Sequence, residues 1–114
     1  MHELGVVFHI IDQVEEVARD NDVSSVTRII LQLGEVSTVI PEYLTDCFKW
    51  AQKKHDLIKD AELEIEKIEA LTWCDDCEKT YETLKYGKNC PYCGGNKTWL
   101  KQGSEFMIKE IEVE

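Results

Sequence analysis

The sequence predicts an α+β fold in which two amphipathic helices accompany three strands, with a cysteine-rich module inserted before the last strand. Three observations carry this reading. Apolar residues recur at three- and four-residue steps in two stretches. They alternate in three others. Two Cys-x-x-Cys pairs, twelve residues apart, stand between the second and third of those strands.

From Leu4 to about Asp20, the residues Leu4, Val7, Phe8, Ile11, Val14 and Ala18 form one helical face, with Val6, Ile10 and Val17 flanking it. So wide an apolar arc suits packing on a neighbouring helix as well as on a sheet. Asn21-Asp22 breaks the helix. Val26 to Leu33 then alternates, Ile29, Leu31 and Leu33 to one side and Arg28 and Gln32 to the other, until Gly34 ends the strand. A second helix opens near Pro41, a residue favoured at the first helical position, with Leu44, Cys47, Phe48 and Ala51 inward. On this face Cys47 reads as a small core residue rather than a nucleophile. Asp60 to Glu69 alternates again, with Ala61, Leu63 and Ile65 inward, and its period slips at Ile68. Leu71 to Lys101 shows no sustained period. Glu105 to Glu114 alternates once more, Met107, Ile111 and Val113 against Phe106 and Ile108. A lone terminal strand cannot form a domain, so it returns to the first sheet. The expected domains are therefore residues 1–70 with 102–114, and an inserted ribbon over residues 71–101.

The inserted stretch carries Cys74-Asp75-Asp76-Cys77 and Cys90-Pro91-Tyr92-Cys93-Gly94-Gly95. Each pair lets two thiolates of one tight turn reach a single ion, and two facing turns complete a tetrahedron. The pattern therefore predicts one zinc held by Cys74, Cys77, Cys90 and Cys93, with iron or a redox dithiol as the alternatives. Four protein ligands leave no open position for catalysis, so the predicted zinc is structural. Pro91 fixes the second turn, and Gly94-Gly95 permits unusual backbone angles after it.

The chain has 114 residues and 43% apolar residues, enough for one modest core but not two, so the ribbon depends on its metal staple. Its net charge is -10, from 23 acidic and 13 basic side chains, and the visible basic clusters, such as Lys53-Lys54, are short and surrounded by acid. That balance argues against nucleic acid as a partner. No apolar run is long enough to span a membrane, and Met1-His2-Glu3 opens no secretory signal, so a cytoplasmic location is expected, where thiols stay reduced.

Met1-His2-Glu3 is the second informative place. The Met1 amine, the amide nitrogens of His2 and Glu3 once deprotonated, and the His2 ring could offer square-planar nitrogen ligation to nickel or copper(II). Taken alone, an exposed histidine with no metal role is the commoner reading of such a position.

Several motifs occur together: Met1-His2-Glu3, Gly34-Glu35-Val36-Ser37, Pro41-Glu42-Tyr43-Leu44, the two cysteine pairs, and Gly103-Ser104-Glu105 ahead of Ile108-Lys109-Glu110-Ile111-Glu112-Val113-Glu114. In this combination and order the chain resembles, over essentially its whole length, the HypA/HybF family of hydrogenase nickel-incorporation proteins. The resemblance implies two helices packed on a three-stranded sheet, forming a nickel-binding domain, with a four-cysteine zinc ribbon inserted before the last strand. It implies a non-enzymatic metallochaperone that passes Ni(II) to the NiFe-hydrogenase large-subunit precursor, works with a HypB-type GTPase, and in some organisms supplies urease. The matching nickel position is His2, with the Met1 amine and the Glu3 backbone as further ligands. The histidines are His2, His9 and His55, so none lies in the ribbon, and no relay of nickel through ribbon histidines is available. His9 is expected to face solvent, and His55 to suit the negative end of a helix.

Two rival readings belong to other classes. One is a zinc-ribbon protein-interaction adaptor that transfers no nickel. The other is a thiol oxidoreductase using one Cys-x-x-Cys pair, which predicts thiols that react in the native protein.

Overall fold

The structure, a computed structural model, describes residues 3–114. It is an α+β arrangement. In chain order the elements are α1 (Glu3–Asp20), β1 (Val26–Gly34), α2 (Pro41–Gln52), a single 3-10 turn (Asp56–Ile58), β2 (Glu62–Ile68), β3 (Leu71–Cys74), β4 (Lys79–Glu82), the short α3 (Thr83–Tyr86), β5 (Thr98–Gln102) and β6 (Phe106–Val113). Two three-stranded sheets result, ordered β2-β1-β6 and β4-β3-β5. The chain divides into two compact units: residues through Gln32 with Thr38–Glu66 and Met107–Glu114, and Leu33–Ser37 with Lys67–Phe106.

In the first unit, α1 packs against α2. Val7, Ile10, Ile11 and Val14 of α1, Ile29 and Leu31 of β1, Leu44 and Phe48 of α2, and Ile58 are fully buried. Pro41 starts α2 as expected, and Thr45 Oγ1 donates back to the Pro41 carbonyl at 3.0 Å. Asn21 Nδ2 donates to the Val17 carbonyl at 2.8 Å and Asp22 takes a left-handed backbone, which together close α1. β6 pairs with β1 antiparallel: Glu114 N donates to Ser25 O, and Thr27 Oγ1 to Glu112 O. On the sheet, Arg28 lies between Glu64 at 3.7 Å and Glu112 at 3.5 Å, and Lys109 meets Glu66 at 2.7 Å.

The face of α1 differs from the expected one. Val6 and Ile10, expected beside it, are buried, whereas Leu4 and Phe8 are exposed. The helix packs against α2, and its buried arc takes in Val6 and Ile10 and leaves Leu4 and Phe8 in solvent. Val17, on the buried flank's side, is exposed nonetheless. On α2, Leu44, Phe48 and Ala51 are buried as expected, while Cys47 is half-buried at the edge of that face. His9 is exposed. His55 stands beyond the end of α2, its Nδ1 3.5 Å from Glu15 Oε2 of α1.

The second unit is built on short strands. β3 pairs antiparallel with β4 and with β5, with a register shift between Leu71 and Thr72. These strands, of four and five residues, are too short to show a period amid aromatics and cysteines, which is why residues 71–101 read as featureless.

Candidate metal centre

The antiparallel β3–β4 connection places Cys74 at the end of a strand and Cys77 in the turn that follows. Glu78 N donates back to Cys74 O at 2.9 Å, and Glu78 itself has φ 55°. The second knuckle repeats this geometry: Gly94 N donates to Cys90 O at 2.8 Å, and Gly94 has φ 72°. Both Cys-x-x-Cys turns thus end on a left-handed residue directly after the second cysteine. Glycine takes that conformation freely, whereas glutamate takes it at a cost. Gly95 plays a different part from the one expected. Its φ is not left-handed; a Cβ there would stand 2.8 Å from Asp76 Oδ2, at the end of an exposed side chain that can turn aside, and 3.3 Å from Cys93 Sγ, a tight contact with the cluster.

The two knuckles bring four sulfurs together. Cys74 Sγ lies 3.6 Å from Cys93 Sγ, and Cys77 Sγ 3.5 Å from Cys90 Sγ. The four ligand atoms all fall within 4.8 Å of one another. A disulfide would need about 2.05 Å, so none of these is one. A tetrahedron of sulfurs with metal–sulfur bonds of about 2.3 Å has edges of about 3.8 Å, close to the pairs seen here. The donor set therefore fits a closed, four-coordinate ion and is compatible with zinc.

The electrostatics fit a cation as well. Burial pushes the Cys77 thiol up to about 12, reinforced by its hydrogen bonding with Cys90, Cys74 and Cys93. Burial also raises Cys90, but the backbone amides of Cys93 and Tyr92, with the Cys77 and Cys93 thiols, outweigh it and hold Cys90 down to about 7. At Cys93 the Gly95 amide favours the thiolate, yet the Cys74 thiol, burial and Cys90 together leave it raised. The amides are aimed to stabilise thiolates, while four sulfurs at this separation oppose one another's ionisation. A bound divalent cation removes that opposition.

Sequence reasoning missed the support behind the cluster. Tyr81, buried on β4, packs with Cys74, Cys90 and Cys77 and donates its hydroxyl to Gly87 O at 2.8 Å. Its ring meets Tyr86 edge-on, with centroids 6.0 Å apart. Thr98 Oγ1 donates to Lys88 O at 2.8 Å, and Asp75 N to Lys97 O at 2.9 Å, tying the two knuckles to β5. The available signal was the alternation of Thr80, Tyr81 and Glu82 beside Thr72, Trp73 and Cys74, visible only once the strands are paired.

Of the expected nickel residues, Met1 and His2 lie outside the described residues. Glu3 stands in the first turn of α1, where its charge suits the helix N-terminus. Among the described residues, the group of metal-ligating side chains brought together is Cys74, Cys77, Cys90 and Cys93. No described helix is long and apolar enough to cross a membrane.

Comparison with known proteins places this geometry in context. Residues 1–113 match the family described as hydrogenase/urease nickel incorporation, metallochaperone, HypA. The hydrogenase maturation factor HypA of Actinobacillus succinogenes is 38% identical over 114 residues, covering 100% of both chains. That of Aeromonas salmonicida is 35% identical over 113 residues, covering 99% of each. Among solved structures, the nickel metallochaperone HypA from Helicobacter pylori superposes with a TM-score of 0.72 at 27% identity, covering 99% of this chain and 97% of that one. A second HypA solution structure gives 0.76 at 28% identity, covering 100% and 97%. A match from end to end in sequence and fold leaves one conclusion: the chain belongs to the HypA family of hydrogenase nickel-incorporation metallochaperones.

Proposed function

We propose that this protein binds Ni(II) through its N-terminal segment and delivers it for maturation of NiFe-hydrogenase, acting as a carrier rather than an enzyme. The nickel residue is His2, with the Met1 amine and the Glu3 backbone completing the donor set. The carrying observation is the family match that begins at residue 1 and takes in Met1-His2-Glu3. Physical chemistry supports the choice: nitrogen donors in a plane select nickel by geometry, and the amide protons lost on binding make release sensitive to pH. The same family match supports the HypB-type GTPase and the large-subunit precursor as partners, and the cytoplasm as the place of work.

In this reading residues 1–70 and 102–114 serve nickel, and residues 71–101 hold one structural zinc at Cys74, Cys77, Cys90 and Cys93. The ribbon's part is architectural: the Tyr92, Cys93 and Gly95 amides orient and stabilise the sulfurs, and Tyr81 backs them.

Nickel titration of the untagged protein by equilibrium dialysis tests the proposal. His2→Ala should abolish stoichiometric nickel binding and leave zinc content unchanged. Unchanged nickel affinity would instead support the adaptor that transfers no nickel. Alkylation tests the zinc assignment: Cys74, Cys77, Cys90 and Cys93 should be protected until a chelator is added. Reaction of these thiols in the native protein would favour the oxidoreductase.

A further inference from the structure

The overall acidity of the chain conceals a basic stretch. Residues 83–104 contain Lys85, Lys88, Lys97 and Lys101 and no acidic side chain, although the net charge is -10. Part of this stretch forms β5, an edge strand of the second sheet. Trp73 of β3 is directly opposite Trp99 of β5 and Thr80 of β4, so these three share one face. Cys74 does not line it: Thr72, Cys74 and Tyr81 point to the other face and are buried.

Trp99 is 51% exposed, and its indole is fixed by donation from Nε1 to Asp75 Oδ1 at 3.1 Å. Lys101 Nζ sits 5.7 Å from the Trp73 ring centroid, which puts Lys101 on the same face. Lys97 stands just before β5, and its carbonyl accepts from Asp75 N at 2.9 Å, which extends the β3–β5 pairing by one residue; a strand period continued through it sets Lys97 on the side of Trp99. Among the described residues, the outer edge of β5 therefore carries Trp99 and Lys101 on this face, Lys101 at the register shift with β3, and Lys97 directly before the strand.

We propose that the β5 edge and its Trp73–Trp99 platform dock an extended peptide segment of a partner protein, with an acidic residue, an apolar residue and a second acidic residue at alternate positions. A strand added to β5 presents same-face side chains about 7 Å apart, the spacing of alternate residues along a regular strand. Its carboxylates meet Lys97 and Lys101, and its apolar residue covers Trp99. This chain's own outer strands do not fit. Glu62, Glu64 and Glu66 in β2, and Glu110 and Glu112 in β6 with Glu114 just beyond it, would set glutamate against Trp99. In the alternate register neither strand brings carboxylates to both lysines. A single-stranded nucleic acid carries a charge at every nucleotide and would set one against Trp99, so a peptide with an apolar residue there is the better complement.

The test is a titration of the zinc-loaded protein with the blocked peptide Ser-Glu-Thr-Val-Thr-Glu-Ser, followed by tryptophan fluorescence and backbone amide shifts. Saturable binding is expected, with shifts centred on Thr98–Gln102. Binding should weaken at least about tenfold in Lys97→Glu/Lys101→Glu, and by less in Lys97→Gln/Lys101→Gln. Light scattering on the free protein, and titration with a ten-nucleotide oligothymidine, complete the design. Three results would overturn the proposal: absent or charge-insensitive peptide binding, tighter binding of the oligothymidine at the same amides, or a dimer that buries β5.

Discussion

Gly34 lies against the Gly103 backbone so closely that a Cβ on Gly34 would overlap the Gly103 carbonyl. The approach is held by a short ladder within the second unit. Gly34 N donates to Glu105 O at 2.7 Å and Val36 N to Gly103 O at 2.9 Å. Glu35 adds its own links, from its amide to Ile68 O at 2.8 Å and from the Ala70 amide to its carboxylate at 3.1 Å. Gly103, at φ 122°, has no room either, because a Cβ would strike Ala70. Gly34→Ala and Gly103→Ala should each destabilise by about 1–3 kcal/mol through overpacking, with added backbone strain at Gly103. Urea unfolding at fixed metal concentration measures this; a loss below about 0.5 kcal/mol for either would contradict the clasp.

This contact also explains two of the motifs that marked the family. Gly34-Glu35 and Gly103-Ser104-Glu105 are far apart in sequence and read there only as strand ends. Their meaning is mutual. The helices, the long strands and the cluster of four cysteines were legible because each follows a local period or spacing. The hidden features depend on pairing: the rotated face of α1 is set by packing against α2, and the three short strands of the ribbon acquire a register only against one another. The Trp73–Trp99 face is invisible until β3 and β5 are aligned.

Glu78 and Gly94 occupy equivalent left-handed positions, one after each knuckle, yet only one is glycine. Glu78→Gly should therefore raise stability by up to about 1 kcal/mol, relief of strain being offset in part by the freer unfolded chain. Gly94→Ala should lower it by about 1 kcal/mol. Thermal unfolding of zinc-loaded protein at one zinc concentration compares them, because bound metal itself shifts the midpoint. If both substitutions moved it the same way, the equivalence of the knuckles would be wrong.

The Glu66 carboxylate accepts from Lys109 Nζ at 2.7 Å and from Gln32 Nε2 at 3.2 Å, and these bonds hold its pKa below the ordinary carboxylate range. Lys109 is raised above the ordinary lysine value, first by its hydrogen bond to Glu66 and then by that residue's charge. The two ends of the pH range then act with opposite sign. A depressed carboxylate stabilises the fold above its unfolded pKa, and the gain is lost as pH falls through the folded value. A raised lysine stabilises below its unfolded pKa, and the gain is lost as pH rises through the folded value. Glu66→Gln should lower the melting temperature slightly near neutral pH, with the difference from wild type vanishing in acid. Both side chains are well exposed, so high salt should shrink the effect. A difference that grew on acidification would reverse the assignment.

Gln52, the last residue of α2, donates from Nε2 toward three carbonyls: Ile58 at 2.9 Å, Lys59 at 3.2 Å and Ala61 at 3.1 Å. One amide group thereby fastens the 3-10 turn and the approach to β2, where Ile58 is fully buried. An amide nitrogen has two hydrogens, so the three acceptors share them, and any residue without a donor leaves all three. Gln52→Ala should cost about 1–2 kcal/mol, softened because Lys59 is exposed and water can reach its carbonyl. Gln52→Glu should cost more near neutral pH, because an acceptor-only carboxylate then faces three carbonyl oxygens. That environment favours the protonated acid, which regains one donor, so the penalty should shrink as pH falls. Urea unfolding of the two variants across the acid range reads both parts. Two variants as stable as wild type would show that the turn is held by burial of Ile58 alone; a glutamate variant equal to the alanine one at neutral pH would show that water relieves the carboxylate.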